Sequence, residues 1–180
     1  MSYDGKNTTD PARSFGSENR ICLRPIGWVR STRTQTRDDD WDSEVSSIEL
    51  DKQWLGEASI RGLDSFSHLE VVYFFDRVPL DAIERGARRP RNNPDWPEVG
   101  IFAQRGKNRP NRIGVSLCRI TSVEGLTIRV AGLDAIDATP VLDIKPYLQE
   151  FGPRGQVAQP SWATELMANY WFMQSAVTGE

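Results

Sequence analysis

The sequence predicts a mainly β protein: a small β-barrel of short strands with a long loop and a C-terminal helix. Most of the chain after residue 20 consists of short runs rich in β-branched and aromatic residues, with little 3.6-residue periodicity between them. That pattern is typical of barrels and sandwiches. Strands and helices do not alternate, which argues against a doubly wound sheet. No glycine-rich turn leads from a strand into a helix, so the common nucleotide-binding fingerprint is missing.

Short β-like runs follow one another along the chain. The strongest is HLEVVYFFD at residues 68–76, because it is dense in β-branched and aromatic side chains. Gly125 fits a tight hairpin between the runs on either side of it. The other runs expected to form strands are residues 21–30, 45–50, 57–60, 100–104, 114–123, 126–131 and 141–144.

The chain divides into three predicted segments. Residues 1–19 are polar and rich in Gly, Pro, Ser and Asn, so we expect a disordered N-terminal tail. Residues 20–148 form the predicted barrel domain. Residues 149–180 form a helical extension, and its helix begins at Pro160 and Ser161. We expect its apolar stripe to pack on the barrel or on a second subunit. The stripe, at helical spacing, is Trp162, Leu166, Tyr170 and Met173.

Charge is unevenly spread along the sequence. The net charge of −3 and pI of about 5.3 argue against a general nucleic-acid coat. Residues 85–119, however, hold nine basic and two acidic side chains, a net charge of +7, and they include the proline-rich long loop 86–98. Residues 38–49 hold six acids and no base. A basic patch on an acidic protein indicates one specific anionic partner, with a solvated arginine-rich loop as the alternative.

Several classes of site are disfavoured by the residue inventory. An ordinary serine-hydrolase triad would need the single histidine, His68, which lies in no nucleophile-elbow pattern. The two cysteines, Cys22 and Cys118, form no zinc-type or disulfide pattern and suit a reducing cytoplasm. The N-terminus has no apolar signal segment, and the longest apolar run, residues 71–75, cannot cross a membrane. We therefore expect a cytoplasmic protein with no metal and no membrane contact.

Two segments carry candidate functional residues. In GIFAQRGKNRPNRIGVS a cationic turn lies between two predicted strands, where guanidinium groups can grip a carboxylate or phosphate at two points. In GLDAIDATPVLDIKPY, most of the acidic residues have a structural explanation, as caps of a turn or as outward positions of a strand. This explanation does not account for so many acids close together. The candidate side chains are Arg105, Arg109, Asp134, Asp137, Asp143 and Lys145.

At these segments the chain resembles the TsaA-like (YaeB-like) family. Residues 100–116 and 132–147 resemble two of its motifs. RPIGWVRS at 24–31 resembles its PIGxIRS motif, and LDSFSHL at 63–69 resembles its GLxxFSHL motif. The four motifs occur in the family's order over roughly residues 23–148.

The resemblance implies a β-barrel methyltransferase that uses S-adenosyl-L-methionine without a Rossmann sheet and is usually a homodimer. It also implies a reaction, methylation of N6 of threonylcarbamoyladenosine at tRNA position 37.

The resemblance also implies where the cofactor and catalytic residues lie. Arg105 would hold the carboxylate of S-adenosylmethionine, and Asp134 its ammonium or ribose; alignment and exclusion of water would give most of the acceleration. Lys145 or Arg109 would pair with the threonylcarbamoyl carboxylate, and a looser cofactor contact lies near residues 42–45. The catalytic assignments are Arg109, Asp137 and Lys145. The cofactor assignments are Arg77, Val78, Arg105, Val115, Ala131, Gly132, Leu133 and Asp134.

Two alternative functions remain open beside the tRNA methyltransferase. The first is a methyltransferase acting on a small molecule, because the acidic run at residues 38–42 would repel phosphate. The second is a non-catalytic module that binds S-adenosylmethionine. Retention of the ligand without methyl transfer to any RNA would distinguish that module from an enzyme.

Overall fold

The computed structural model describes residues 21–171, so the predicted tail at 1–19 and Met173 lie outside the described residues. Over this part of the chain the protein is mostly strands, with short 3-10 helices and one short α-helix. The strands, in chain order, are β1 (Gly27–Arg30), β2 (Val45–Leu50), β3 (His68–Phe74), β4 (Ala87–Arg88), β5 (Val99–Gly100), β6 (Ile113–Glu124), β7 (Thr127–Ala131) and β8 (Pro140–Pro146), followed by helix α1 (Ser161–Met167).

Six of these strands close into a barrel in the order β1-β2-β7-β6-β3-β8, and β4 pairs with β5 in a separate ribbon. All neighbouring pairs in the barrel are antiparallel. The predicted β-barrel with a C-terminal helix is therefore confirmed. Strand β2 has the predicted bounds, α1 begins at Ser161 after Pro160, and Gly125 turns between β6 and β7 with a positive φ of 54°.

Two predicted strands are wrong. Residues Glu57–Ile60 form a 3-10 helix with no buried side chain, so no buried face holds this segment against a neighbouring strand. In the run 100–104, only Gly100 belongs to a strand, and Ile101–Ala103 form a 3-10 helix. The first run becomes a strand only at Gly27, after Pro25, which has no amide hydrogen for a ladder.

The barrel interior is filled by alternate residues of its strands. In β3 the buried positions are Leu69, Val71 and Tyr73, with half-buried residues between them. Burial of each large apolar side chain contributes roughly 1.5–3 kcal/mol, so this alternation fixes which face of each strand points inward. The remaining barrel core includes Val29, Ile48, Leu50, Cys118, Ile128, Val130, Leu133 and Val141.

One end of the interior is polar. Buried positions of β6 there are Gly114 and Ser116, and the Tyr73 ring lies over Gly114 so closely that a Cβ at that glycine would overlap it. The missing side chain lets Tyr73 lie across the interior with its hydroxyl directed at the loop that follows β7. This end of the barrel forms the candidate site.

Beside the barrel, residues 79–112 form what we call the basic lobe. The predicted long loop lies within it and is ordered around the buried side chain of Gln104, which donates hydrogen bonds of 2.9 Å to the carbonyls of Arg88 and Val99. Asn108 donates another of 2.9 Å to the Ala82 carbonyl. The lobe thus has a fixed backbone although it contains only two residue pairs of β-ladder.

The residues after α1 pack on the loop between β1 and β2 that contains the acidic run at residues 38–42, which we call the acidic loop. Three successive backbone amides of this loop, those of Asp40, Trp41 and Asp42, donate to the carbonyls of Asn169, Tyr170 and Trp171 at 3.2, 3.1 and 2.7 Å. Trp96 of the basic lobe also donates its indole N–H to Glu165 of α1 at 2.8 Å. No helix within residues 21–171 has the length and apolar character needed to span a membrane.

Candidate functional site

The site centres on the Asp134 carboxylate, in the loop that follows β7. Tyr73 donates its hydroxyl to Oδ1 at 2.7 Å, and Ser116 donates to the same oxygen. Tyr170, from beyond α1, donates to Oδ2. Gly132 at the start of this loop has a positive φ of 78°, a conformation that favours glycine. Three hydroxyl donors from β3, β6 and the C-terminal extension therefore converge on one carboxylate.

Burial keeps the two phenols of this cluster neutral. It raises the pKa of Tyr73 well above its ordinary value, and the Asp134 charge raises it further. Burial and then Asp134 raise the pKa of Tyr170 in the same direction, while the positive charge of nearby Arg105 partly opposes the rise. Both residues therefore act as hydrogen-bond donors to Asp134 and not as acids.

Cys118 lies beneath the cluster and is inert. Its thiol donates to the Gly132 carbonyl at 3.6 Å, and it is fully buried. Burial, reinforced by the Asp134 charge, raises the pKa of this thiol. The thiolate is the reactive form of cysteine, and burial disfavours it here. Cys118 therefore supports the packing of the loop and is not a nucleophile.

Four of the predicted cofactor residues, Arg105, Val115, Gly132 and Asp134, lie at this end of the barrel. Arg105 donates from Nη2 to the Val115 carbonyl at 2.7 Å, next to Ser116 in β6. Gly132 and Asp134 lie in the loop opposite, and the neighbouring predicted residues differ in exposure. Ala131 ends β7 half-buried, and Leu133 is fully buried in the core, where its side chain cannot reach a ligand.

Arg77 and Val78 hold loops together at the end of β3. Arg77 donates to the Thr34 carbonyl at 2.9 Å and to the Asp137 carbonyl at 3.1 Å. Val78 is buried, and its carbonyl accepts a 2.8 Å hydrogen bond from Arg112. These contacts do not connect either residue directly to Asp134.

The three residues assigned to catalysis lie in three different places. Arg109 donates to the Gln104 carbonyl within the basic lobe. Asp137 lies in the turn before β8, where Oδ1 accepts the Ser31 amide at 3.2 Å. It also lines a shallow groove of about 320 Å³ that shares no residue with the Asp134 cluster. The other lining residues are Arg30, Ser31, Thr32, Val45, Ser46, Ser47 and Arg129.

Lys145, the third of these residues, lies on the exposed side of β8. Its ammonium is 2.6 Å from Asp143 Oδ2, and its side chain is 62% exposed. The hydrogen bond from Lys145 to Asp143 raises the pKa of the lysine, followed by the attraction of the same carboxylate. Lys145 is therefore a charged and accessible cation.

The acidic loop is tied down by arginines. The buried Arg33 guanidinium lies 4.0 Å from the centroid of the Trp41 ring and donates to the carbonyls of Asp39 and Asp40. Arg91 of the basic lobe pairs with Asp39 at 2.7 Å. Part of the acidic charge is thus offset by the lobe, which reduces the phosphate repulsion that the sequence alone suggests.

Sequence reasoning missed three residues of the site. Tyr73 was counted only as part of a strand, although its inward position follows from the alternation of β3. Ser116 ends the motif at residues 100–116, but the resemblance implies no role for it. Tyr170 was interpreted as a packing residue of the stripe, and nothing in the local sequence connects it with Asp134, 36 positions earlier.

The closed six-stranded β-barrel, with a carboxylate and a guanidinium at its polar end, places the chain among small antiparallel β-barrel domains and not among Rossmann-type domains. This chain belongs to the tRNA-methyltransferase O N-terminal domain family, whose model matches residues 31–152. The family predicted from the four sequence motifs is therefore confirmed. Within residues 21–171 no cluster of three or more His, Cys, Asp or Glu side chains is arranged to hold a metal ion.

Similar proteins carry two kinds of name. The chain is 37% identical over 148 residues to a probable S-adenosyl-L-methionine-binding protein of Methanothermobacter thermautotrophicus, covering 77% of this chain and 98% of that protein. It is 38% identical over 104 residues to the human tRNA (adenine(37)-N6)-methyltransferase, covering 58% and 23%. For the Escherichia coli enzyme of the same name the identity is 37% over 94 residues, covering 50% and 40%.

A solved structure shares the fold. The crystal structure of TrmO from Pseudomonas aeruginosa superimposes with a TM-score of 0.62 at 26% identity, covering 77% of this chain and 61% of that one. The chain thus spans nearly all of the archaeal relative but less than half of the human and E. coli methyltransferases.

Proposed function

We propose that this protein is an S-adenosylmethionine-dependent methyltransferase that methylates N6 of threonylcarbamoyladenosine at position 37 of tRNA. The observation that carries the proposal is the convergence of Asp134 and Arg105 at the polar end of the barrel. The names of its relatives support both the cofactor and the reaction.

The side chains of this site fit the cofactor chemically. S-adenosylmethionine carries an ammonium, a carboxylate, ribose hydroxyls and a sulfonium cation. The Asp134 carboxylate can accept from the ammonium or the ribose, and the exposed Arg105 guanidinium retains free N–H groups for the carboxylate. Gly132 has no side chain of its own, but it is buried, and the Asp42 carboxylate and the Trp171 ring lie over it. When bound, the cofactor supplies the methyl group as an electrophile.

The chain's contribution to such a reaction is preorganisation. Tyr73 and Ser116 fix the Asp134 carboxylate in one orientation before any ligand arrives. A fixed carboxylate holds its ligand in one pose. In favourable cases, alignment of the reactants lowers the activation barrier by about 7–11 kcal/mol. The residues around Tyr170 cover the loop at Gly132 and can exclude water from it.

Lys145 is the better candidate to pair with the threonylcarbamoyl carboxylate. Its ammonium is exposed and held by a single carboxylate, whereas Arg109 is part-buried and engaged with backbone carbonyls. We assign this substrate contact to Lys145 and a supporting role in the lobe to Arg109. Asp137, whose carboxylate accepts the Ser31 amide, keeps the turn before β8 in place.

We also propose that the protein works as a homodimer in the cytoplasm and without a metal ion. The outward side chains of β6 include Val115 and Leu117, which are 39% and 46% exposed and could contribute to a dimer surface. Sedimentation of the purified protein tests this assembly. A monomer at every concentration would exclude the dimer.

The decisive experiment is calorimetric titration of S-adenosylmethionine into the wild type, Arg105→Ala and a control variant, Arg129→Ala. Arg129 is an exposed arginine of β7 that pairs with Glu124 at 2.6 Å. We expect binding by the wild type and the control and its loss in Arg105→Ala. Radiolabelled methyl transfer to tRNA containing threonylcarbamoyladenosine then tests the reaction. Binding without transfer to any RNA would support the non-catalytic module instead, and no binding would overturn the proposal.

A further inference from the structure

The basic lobe presents one aromatic ring to solvent. Phe102 is 75% exposed, although its neighbour Ile101 is 1% exposed and anchored in the lobe. The Ile101 amide donates to the Gly86 carbonyl at 2.9 Å, and the Gln104 amide donates to the Ile101 carbonyl at 3.2 Å. The exposed ring therefore projects from a backbone that is held on both sides.

A cation lies beside this ring. The Arg109 guanidinium is 5.8 Å from the centroid of Phe102, at the distance of a cation–π contact. The same guanidinium donates to the Gln104 carbonyl, so it is fixed relative to the ring. A flat aromatic face with a fixed cation next to it suits a planar, electron-rich partner.

The lobe carries a net positive charge, because residues 79–112 hold eight basic and four acidic side chains, a net charge of +4. Several of its arginines donate to backbone carbonyls and not to carboxylates: Arg89 to Pro94, Arg105 to Val115, and Arg112 to Val78. Among the ion pairs of residues 21–171, Arg91 is the basic residue of the lobe that pairs with carboxylates. Carbonyl dipoles do not cancel a unit charge, so the lobe attracts polyanions.

The ring is also close to the candidate cofactor site. Phe102 lies three residues before Arg105, so their Cα atoms are at most about 11 Å apart. Arg105 contacts Val115, and the next residue, Ser116, donates to Asp134. A nucleotide held on Phe102 would thus lie within a few nucleotides of a base presented to a cofactor at Asp134.

We propose that Phe102 is a stacking platform for an unpaired base of RNA, with the cations of the lobe, Lys107 among them, meeting the adjacent phosphates. Stacking on an exposed aromatic beside a basic surface is how proteins commonly hold single-stranded RNA loops. Self-association through this face is disfavoured, because it would bring two surfaces of net positive charge together. The inference rests on the proposed function, since it assumes that the substrate is RNA.

The test is fluorescence anisotropy of a labelled RNA stem-loop with a single-stranded loop, titrated with the full chain. The variants are Phe102→Ala, Phe102→Trp and a control, Leu80→Ala, which removes another side chain of the lobe that is 71% exposed. We expect Phe102→Ala to weaken binding about 5- to 150-fold, the range for loss of one stacked base. Phe102→Trp should retain the affinity, and Leu80→Ala should stay within about 2-fold of the wild type.

Salt dependence separates stacking from charge. Phe102→Ala should leave the slope of log K against log salt unchanged, whereas Lys107→Ala should reduce it by about 0.7 for one lost phosphate contact. S-adenosylmethionine titration of each variant checks that the barrel is intact.

Each of the remaining outcomes would contradict the proposal that Phe102 stacks on an RNA base. Wild-type RNA affinity in Phe102→Ala would overturn the inference and leave the proposed function standing. A change in sedimentation of Phe102→Ala at the concentration used would mean that the ring joins two copies of the chain. A wild type that binds S-adenosylmethionine but neither binds nor methylates RNA would overturn both the platform and the RNA substrate.

Discussion

The hydroxyl of Tyr170 donates a hydrogen bond to Oδ2 of Asp134, which joins the C-terminal extension to the candidate cofactor site. Backbone hydrogen bonds from the acidic loop hold residues 169–171 in this position. The Trp171 ring comes within 4.0 Å of where a Cβ at Gly132 would lie. The extension, most of which lies beyond the matched family domain, therefore covers an acceptor oxygen that we assign to the cofactor.

Tyr170→Phe should tighten the binding of S-adenosylmethionine. The hydroxyl and the ligand compete for the same carboxylate oxygen, and one such hydrogen bond contributes about 0.5–1.5 kcal/mol, or roughly 2- to 10-fold in affinity. Calorimetric titration measures the change. The matched control is Tyr147→Phe, which removes a phenol hydroxyl that makes no contact with Asp134. Weaker binding by Tyr170→Phe would instead make Tyr170 a ligand contact.

The fold was predictable because short runs dense in β-branched and aromatic residues mark its strands. The run HLEVVYF forms β3, and the structure buries its second, fourth and sixth residues, Leu69, Val71 and Tyr73. Residues 57–60 and 100–104 also contain apolar residues, but whether they form strands depends on a pairing partner elsewhere in the chain. The structure gives Glu57–Ile60 none, and it curls Ile101–Ala103 into a 3-10 turn so that Ile101 can be buried.

The residues of the candidate site could be named from the sequence only where a motif contained them. Arg105 and Asp134 were named from segments that resemble the family, and the structure brings them to one end of the barrel. Tyr170 and Trp41 belong to no motif, and their positions depend on how the extension folds back on the acidic loop. Such long-range contacts leave no signal in composition or spacing.

Gly114→Ala should destabilise the protein and weaken the cofactor site together. A Cβ at this position would overlap the Tyr73 ring, and overpacking of a core typically costs about 1–3 kcal/mol. Displacement of the ring also removes its hydroxyl from Asp134. Urea denaturation measures the free energy of unfolding, with Gly100→Ala as the control because nothing lies within 4 Å of a Cβ there. Equal midpoints for the two variants would show that the ring moves without cost.

The stability of the protein should fall above pH 10 because of Tyr73. Burial raises the pKa of this phenol in the folded state, so between about pH 10 and the folded pKa only the unfolded chain loses the proton. The folded protein then binds more protons than the unfolded chain, and the free energy of unfolding decreases by about 1.4 kcal/mol per pH unit.

Urea denaturation at a series of pH values from 8 to 11 measures this decline in the wild type and in Tyr73→Phe. The variant has no phenol proton at this position and should show a shallower decline above pH 10. Lower stability of Tyr73→Phe at pH 8 is also expected, because Asp134 loses a donor, but it does not affect the comparison of slopes. Parallel curves would show that Tyr73 ionises equally in both states.

Lys145→Ala should weaken the binding of tRNA that carries threonylcarbamoyladenosine more than the binding of unmodified tRNA. The Lys145 ammonium is exposed and can pair with the threonylcarbamoyl carboxylate, and exposed pairs are worth about 0.2–1 kcal/mol, which corresponds to roughly 1.5- to 5-fold. Lys52→Ala, another exposed lysine, controls for the loss of one positive charge. An equal effect on both RNAs would mean that Lys145 meets a phosphate. No effect on either would remove it from the substrate site and leave Arg109 as the cation to test against the carboxylate.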